Sequence, residues 1–255
     1  MEFSTDERRP MITHAELGTV DVTLADHDRT RTFLLLHGGG GAATMTGFAG
    51  LLAEGARARV LVPTHPGFAG TPRPAELCDV PALAELYLGM LDRLGLADVT
   101  LVGNSFGGWL AAEMALRDGS RIARAVIVDA IGIEVEDHPI TDLRGMTPAE
   151  IRAHSFHDPS AAPVPPPGVP APAPDLGALT AYTGPAMFDP TLLHRLADLR
   201  LPVDVVWGES DRVVHPGYGK AYAAAIPGAG FTLLPGAGHM PQIETPAQVL
   251  DIVLR

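Results

Sequence analysis

Ser105 stands between Gly103 and Gly107 in the run Gly103-Asn104-Ser105-Phe106-Gly107-Gly108, directly after the apolar Val99-Thr100-Leu101-Val102 and before a helical stretch. A serine held on a sharp strand-to-helix turn is presented as a nucleophile, and its neighbours two positions away must be small for the helix to fold back on the strand. The pattern G-x-S-x-G is weak alone and gains weight here from the strand before it and the helix after it. A serine hydroxyl is a poor nucleophile at neutral pH, so this chemistry also needs a base and a carboxylate to orient it. Both follow. Asp211 closes Gly208-Glu209-Ser210-Asp211 after the apolar run Val203 to Trp207, and His239 closes Pro235-Gly236-Ala237-Gly238-His239 after Phe231 to Leu234. Each candidate sits on a loop after a strand, in the chain order Ser, Asp, His.

Each position has rivals. Glu209 lies two residues before Asp211, and Asp129 ends the strand Ala125 to Val128, where a carboxylate could also serve. His215 follows the acid closely and precedes Pro216, which makes it a poor base. His37 and His65 sit in glycine-rich loops, where a structural role binding backbone groups is the plainer reading. His154, His157 and Asp158 have metal-like spacing without a further ligand cluster, so no metal is expected. Trp109 reads as a helix-packing residue and Cys78 as an ordinary loop-side residue.

The elements that must position these groups alternate along the chain from about residue 33, the trace of a parallel sheet covered by helices. Phe33 to Leu36 and Arg59 to Pro63 read as buried strands that end in glycine loops. Pro81 to Leu94 carries apolar residues at helical spacing and is closed by Gly95. Trp109 to Leu116 reads as a helix with Ala111, Ala112 and Ala115 for close packing. Thr245 and Pro246 read as the cap and first position of a last helix. Between about Ile131 and Leu201 the strand rhythm stops, and the proline-rich run from Ala161 to Pro174 suits neither helix nor sheet interior. Thr147-Pro148-Ala149-Glu150 is a helix-start signal, and a second helix is expected over Pro190 to Leu199. The division expected is a core over 1–131, an inserted lid over 132–200 and the rest of the core over 201–255. Such an insertion joins two strand ends and should sit over the edge where open α/β sheets bind ligands.

Taken together, these motifs resemble the α/β-hydrolase fold family, from about Phe33 to Ile131 and again from about Leu201 to Leu254, with the lid outside the resemblance. The resemblance implies an α/β fold with a mostly parallel central sheet flanked by helices, and Ser105 as nucleophile, His239 as base and Asp211 as its orienting carboxylate. His37-Gly38-Gly39-Gly40 is similar to the family's oxyanion loop. It implies that the N–H groups of Gly39, with Gly40 as substitute, and of Phe106 receive the developing negative charge. A serine at this turn argues against the branches that use an aspartate nucleophile. It leaves carboxylesterases, lactonases, C–C bond hydrolases of vinylogous diketones, thioesterases and perhydrolases. The C–C hydrolase branch is resembled in part, although it usually carries tryptophan after the catalytic histidine, where this chain has Met240. A small-molecule receptor that keeps the triad is a further alternative.

Phe156, Met187 and Phe188 are the expected substrate-binding residues, with Met146 and Tyr182 as further apolar candidates and Met90 and Leu91 as weaker ones. Few cations fall in the insertion beyond Arg144, Arg152 and Arg195, which favours a small or medium, mainly apolar acyl substrate. The net charge of −12 argues against nucleic acid or an anionic membrane as partner. One cysteine allows no internal disulfide. The charged start, from Met1 to Pro10, lacks an apolar signal region, so a cytoplasmic location is expected. No cofactor is expected; a small-molecule substrate is the expected partner, and a homodimer is left open.

Overall fold

The computed structural model describes residues 11–17, 20–26, 31–117, 120–162 and 174–255. Strands β1 (Met11–Leu17), β2 (Val20–Asp26), β3 (Thr32–Leu36), β4 (Arg59–Thr64), β5 (Val99–Asn104), β6 (Ile122–Val128), β7 (Val203–Gly208) and β8 (Gly230–Leu234) form one sheet in the order β1-β2-β4-β3-β5-β6-β7-β8. β2 pairs antiparallel with β1 and with β4, and all pairs from β4 through β8 are parallel. The first two strands lie before the point at which the sequence rhythm was expected to begin. For β2 the signal was present: Val20, Val22 and Leu24 alternate with Asp21 and Thr23, the half-buried pattern of an antiparallel strand, and Val20 and Val22 are buried.

Side chains that alternate along the parallel strands feed two separate cores. Leu34, Leu36, Leu101, Ile127, Val205 and Trp207 face helices α2 (Val80–Arg93), α3 (Phe106–Arg117) and α7 (Pro216–Ala225). Phe33, Leu35, Val102, Val126, Val128 and Val206 face α1 (Ala43–Ala56) and the C-terminal helix α9 (Pro246–Val253). Buried on both faces, the inner parallel strands β3 to β7 read as continuous apolar runs, which is why they were legible. α2 starts where Asp79 accepts the N–H of Ala82 and ends before Gly95, whose φ of +63° favours glycine. Thr245 occupies the cap position of α9 but makes no cap bond; its hydroxyl instead donates back to Pro241 O at 3.3 Å.

Residues between β6 and β7 carry α4 (Pro148–Ser155), α5 (Leu176–Thr183) and α6 (Leu192–Arg195). Thr147 and Glu150 form the reciprocal capping box at the start of α4. The helix expected over Pro190 to Leu199 is shorter, one turn of α6 followed by a 3-10 turn at Leu196–Asp198. α5 was not anticipated: its Gly177 and threonines weaken helix propensity, and Asp175, which accepts the N–H of Ala178, supplies the start signal. Most of the proline run, 163–173, lies outside the described residues. Arg195 anchors this part of the chain to the core by pairing with fully buried Glu113 of α3 at 2.6 and 3.0 Å and with Asp189 at 2.6 Å.

Candidate active site

The chain leaves β3 for β4 on one side and β5 lies on the other, so the carboxyl ends of β3 and β5 border a topological switch point, the place where such sheets bind ligands. Ser105 is there, between β5 and α3, with φ of +57° in the left-handed region that non-glycine residues rarely adopt. Its N–H donates to Val128 O at 2.9 Å and its carbonyl accepts from Gly108 N at 2.9 Å, which hold the strained turn in place. The glycines are required by contact. A Cβ on Gly103 would lie 2.1 Å from Gly107 O, and one on Gly107 would lie 2.0 Å from Leu36 O.

Asp211 and His239 arrive from the ends of β7 and β8. Asp211 Oδ1 accepts the N–H groups of Val213 and Val214 at 2.8 and 2.9 Å, and Oδ2 meets His239 Nδ1 at 2.8 Å. A carboxylate with these donors only accepts, so Nδ1 carries the imidazole proton and Nε2 is left with a lone pair. Ser105 and His239 both line one cavity of about 240 Å³. Their side chains make no direct hydrogen bond to each other among the described residues, a separation common before substrate binds.

Two residues that sequence reasoning missed tie the His239 loop to the Ser105 turn. Asn104 Nδ2 donates to His239 O at 3.0 Å, and Gln242 Nε2 donates to Asn104 Oδ1 at 3.3 Å. The only sequence signal for Asn104 was its place beside Ser105.

The loop after β3 is held by a buried histidine pair. His37 and His65 stack with ring centroids 3.8 Å apart. His65 N–H donates to His37 Nε2 at 3.1 Å, so the other nitrogen, Nδ1, donates to Gly38 O at 2.7 Å. His65 Nε2 donates to His37 O at 3.1 Å, so Nδ1 accepts the hydroxyl of Tyr87 at 2.6 Å. Burial lowers His37 to about 4, partly offset by its bond to Gly38, and holds His65 well below its ordinary value, with His37 adding to the effect. Both rings are neutral scaffolding. A Cβ on Gly38 would lie 2.8 Å from Ser105 Cβ, which shows how closely this loop passes the serine. Among the described residues the N–H groups of Gly39 and Phe106 donate to no protein acceptor.

The cavity wall includes Gly39, Gly40, Phe156, Met187 and Met240. Phe188 is not on it; its backbone bridges to Gly132 instead. Phe106 is also off the wall, its ring packed against Phe68 and Tyr182, so any role at the cavity falls to its N–H. Tyr182 donates its hydroxyl to Pro66 O at 2.8 Å, Met90 and Leu91 belong to the core, and Met146 lies off the wall. Arg144 on the wall is paired bidentately with Asp142, at 2.8 and 2.7 Å. Arg152 is also on the wall, and its guanidinium has no hydrogen-bond or ion-pair partner among the described residues.

The rival residues go elsewhere. Glu209 is exposed, and His215 caps α7 and stacks on His138. His154, His157 and Asp158 bond separately to Glu150 O, Ser210 Oγ and Ser160, and do not converge. Trp109 packs against Gly132 and donates to Glu113, and Cys78 is exposed. Asp129 is fully buried and accepts Gly208 N–H at 2.8 Å through Oδ1.

No helix among the described residues is long and apolar enough to cross a membrane. The chain is 38% identical over 120 residues to a 2-hydroxymuconate semialdehyde hydrolase of Pseudomonas putida, a match over 45% of this chain and 41% of the relative. It thus spans under half the length of the first curated relatives it matches. A 2-hydroxy-6-oxo-6-phenylhexa-2,4-dienoate hydrolase of Burkholderia cepacia is 24% identical over 94% of this chain and 92% of its own. A solved bromoperoxidase from Bacillus anthracis superposes with a TM-score of 0.74 at 22% identity, covering 96% of this chain and 98% of that one. The model of the alpha/beta hydrolase family matches residues 33–252, most of the chain's length, and the protein belongs to that family.

Proposed function

We propose that the protein hydrolyses a small or medium, mainly apolar acyl compound, an ester or lactone, through a covalent intermediate on Ser105. The observation that carries this reading is the 2.8 Å bond that His239 Nδ1 donates to Asp211, which leaves Nε2 to accept a proton in a cavity that Ser105 also lines and whose wall is mostly apolar. Nε2 takes the serine proton as Oγ attacks the carbonyl carbon, and returns it to the leaving alkoxide as the C–O bond breaks. Water then repeats the sequence on the acyl-serine. The N–H groups of Gly39 and Phe106, with Gly40 as substitute, are the proposed receivers of the oxyanion; loss of one such donor typically costs about 3–4 kcal/mol of barrier. Residues 132–200 serve as the proposed lid, contributing Phe156 and Met187 to the wall. A cavity of about 240 Å³ is at the small end for ligand sites, which supports a compact substrate.

A second reading is C–C bond hydrolysis, in which the same acyl-serine forms and the leaving carbon takes the proton. Two observations favour it: the names of the relatives, and the guanidinium of Arg152 on the cavity wall, which is unpaired among the described residues and suited to a substrate carboxylate. Labelling with a fluorophosphonate followed by peptide mapping tests what the readings share. Modification of Ser105 is expected; an unlabelled protein, or a label elsewhere, overturns both. Comparing an aryl ester with an oxo-dienoate as substrates, each with Ser105→Ala as control, then separates them.

A further inference from the structure

Asp129 is a buried carboxyl that the mechanism above does not use. It ends β6, is fully buried, and has φ of +46°. Oδ1 accepts one backbone N–H, from Gly208. Oδ2 is buried with no hydrogen-bond partner, and an orphaned buried oxygen on an ionised carboxylate is costly. An oxygen of Asp129, an oxygen of Asp211 and a ring nitrogen of His239 lie within 4.8 Å of one another. The ionisable groups facing Asp129 are Asp211 on the β7 loop, His239 on the β8 loop and Glu244 at the end of the short helix α8 (Pro241–Glu244); no lysine or arginine stands among them in the described residues. Asp211 already has three donors and is the carboxylate that must stay ionised to hold the imidazolium.

We propose that Asp129 is carried as a neutral acid and donates its carboxyl proton toward Asp211, so that it acts as a positioning residue for the carboxylate that orients His239. One proton accounts for both oddities of the site, since it removes a second buried anion beside Asp211 and turns the orphaned Oδ2 into a donor. Burial pushes the Asp129 carboxyl well above the usual carboxylate range, and the charge of Asp211 pushes it the same way. The left-handed backbone suits aspartate and asparagine, so Asp129→Asn keeps shape, backbone preference and a donor while it removes the titration. The inference rests on Ser105, Asp211 and His239 acting as one unit, and its first two tests need no turnover.

In infrared difference spectra of wild type against Asp129→Asn at neutral pH, a protonated-carboxyl C=O stretch present in the wild type alone is expected. Its absence overturns the proposal. The titration midpoint of His239, followed by imidazole NMR and by the acidic limb of kcat/KM, gives an opposite sign for the alternative. If Asp129 is neutral, Asp129→Asn leaves the midpoint in place and restores the kcat lost in Asp129→Ala. In the alanine variant the undonated Asp211 holds imidazolium more strongly, so the midpoint rises. If Asp129 is an anion, both substitutions remove a negative charge and the midpoint falls in both by about one unit. That fall overturns the proposal.

Discussion

The backbone N–H of His239 donates to Ser155 O at 2.7 Å, so the last residue of α4, in the insertion, is bonded directly to the proposed base. Glu244 reinforces the link, accepting Gly238 N–H at 2.7 Å and His157 N–H at 3.2 Å on Oε2 and Asp158 N–H at 3.1 Å on Oε1. The segment that walls the cavity and the loop that carries the imidazole are therefore one hydrogen-bonded body.

Glu244→Ala leaves three N–H groups without their acceptor. We expect a loss of about 1–3 kcal/mol in urea unfolding and a fall in kcat that exceeds any rise in KM. Lost stability with kcat unchanged would mean that the link shapes the fold and has no part in placing His239.

Ser105→Ala and His239→Ala should each abolish nearly all turnover, and the double variant should be scarcely slower than either one. Groups that share one proton transfer lose their effect together. Independent roles would instead appear as losses that multiply in kcat/KM.

The parts of this site that were legible in the sequence are those imposed by local geometry. The elbow could be read because Gly103 and Gly107 have no room for a Cβ, and the inner parallel strands because burial on both faces leaves unbroken apolar runs. Asn104 and Gln242 were not legible as anchors, since their bonds to the His239 loop join residues 135 and 138 positions apart. Phe188 was misplaced for a related reason. An aromatic residue in an insertion without periodicity carries no sign of which side of the chain it presents, and the Gly132 bridge that sets its surroundings is long-range.

The His37 and His65 pair predicts the response of stability to acid. Their folded values are depressed, so between about pH 6.5 and about pH 4 the unfolded chain binds protons that the native state does not. Stability is then present above the unfolded value and lost as pH falls; His37 alone accounts for about 3 kcal/mol across its shift from 6.5 to about 4. His65 adds in the same direction, and Asp129, raised in the folded state, opposes with the opposite sign. Within this window the histidine loss on acidification is the contribution that a non-titrating variant isolates. Urea midpoints at about pH 7 and about pH 5 should show it, with a smaller difference in His37→Asn, which can keep a donor and an acceptor without titrating. An equal slope in that variant would assign the acid loss to other groups.

The sharpest prediction for specificity contrasts residues on and off the cavity wall. Phe156 and Met187 line the space that holds Ser105 and His239, whereas Phe188, only one residue beyond Met187, does not. Phe156 is buried and Met187 half-buried at φ of +58°, so each is held by its surroundings and truncation leaves space that a longer acyl chain can fill. Phe156→Ala and Met187→Ala should therefore each shift the ratio of kcat/KM between long and short acyl esters by about 1–3 kcal/mol toward the longer chain. Phe188→Ala should leave the ratio unchanged, whatever it does to stability, because no atom it loses faces the substrate. The three ratios, measured beside unfolding midpoints, separate pocket wall from packing. A shift in Phe188→Ala equal to the other two would mean that the insertion acts on chain length through its overall packing, and the apolar wall would no longer account for acyl preference.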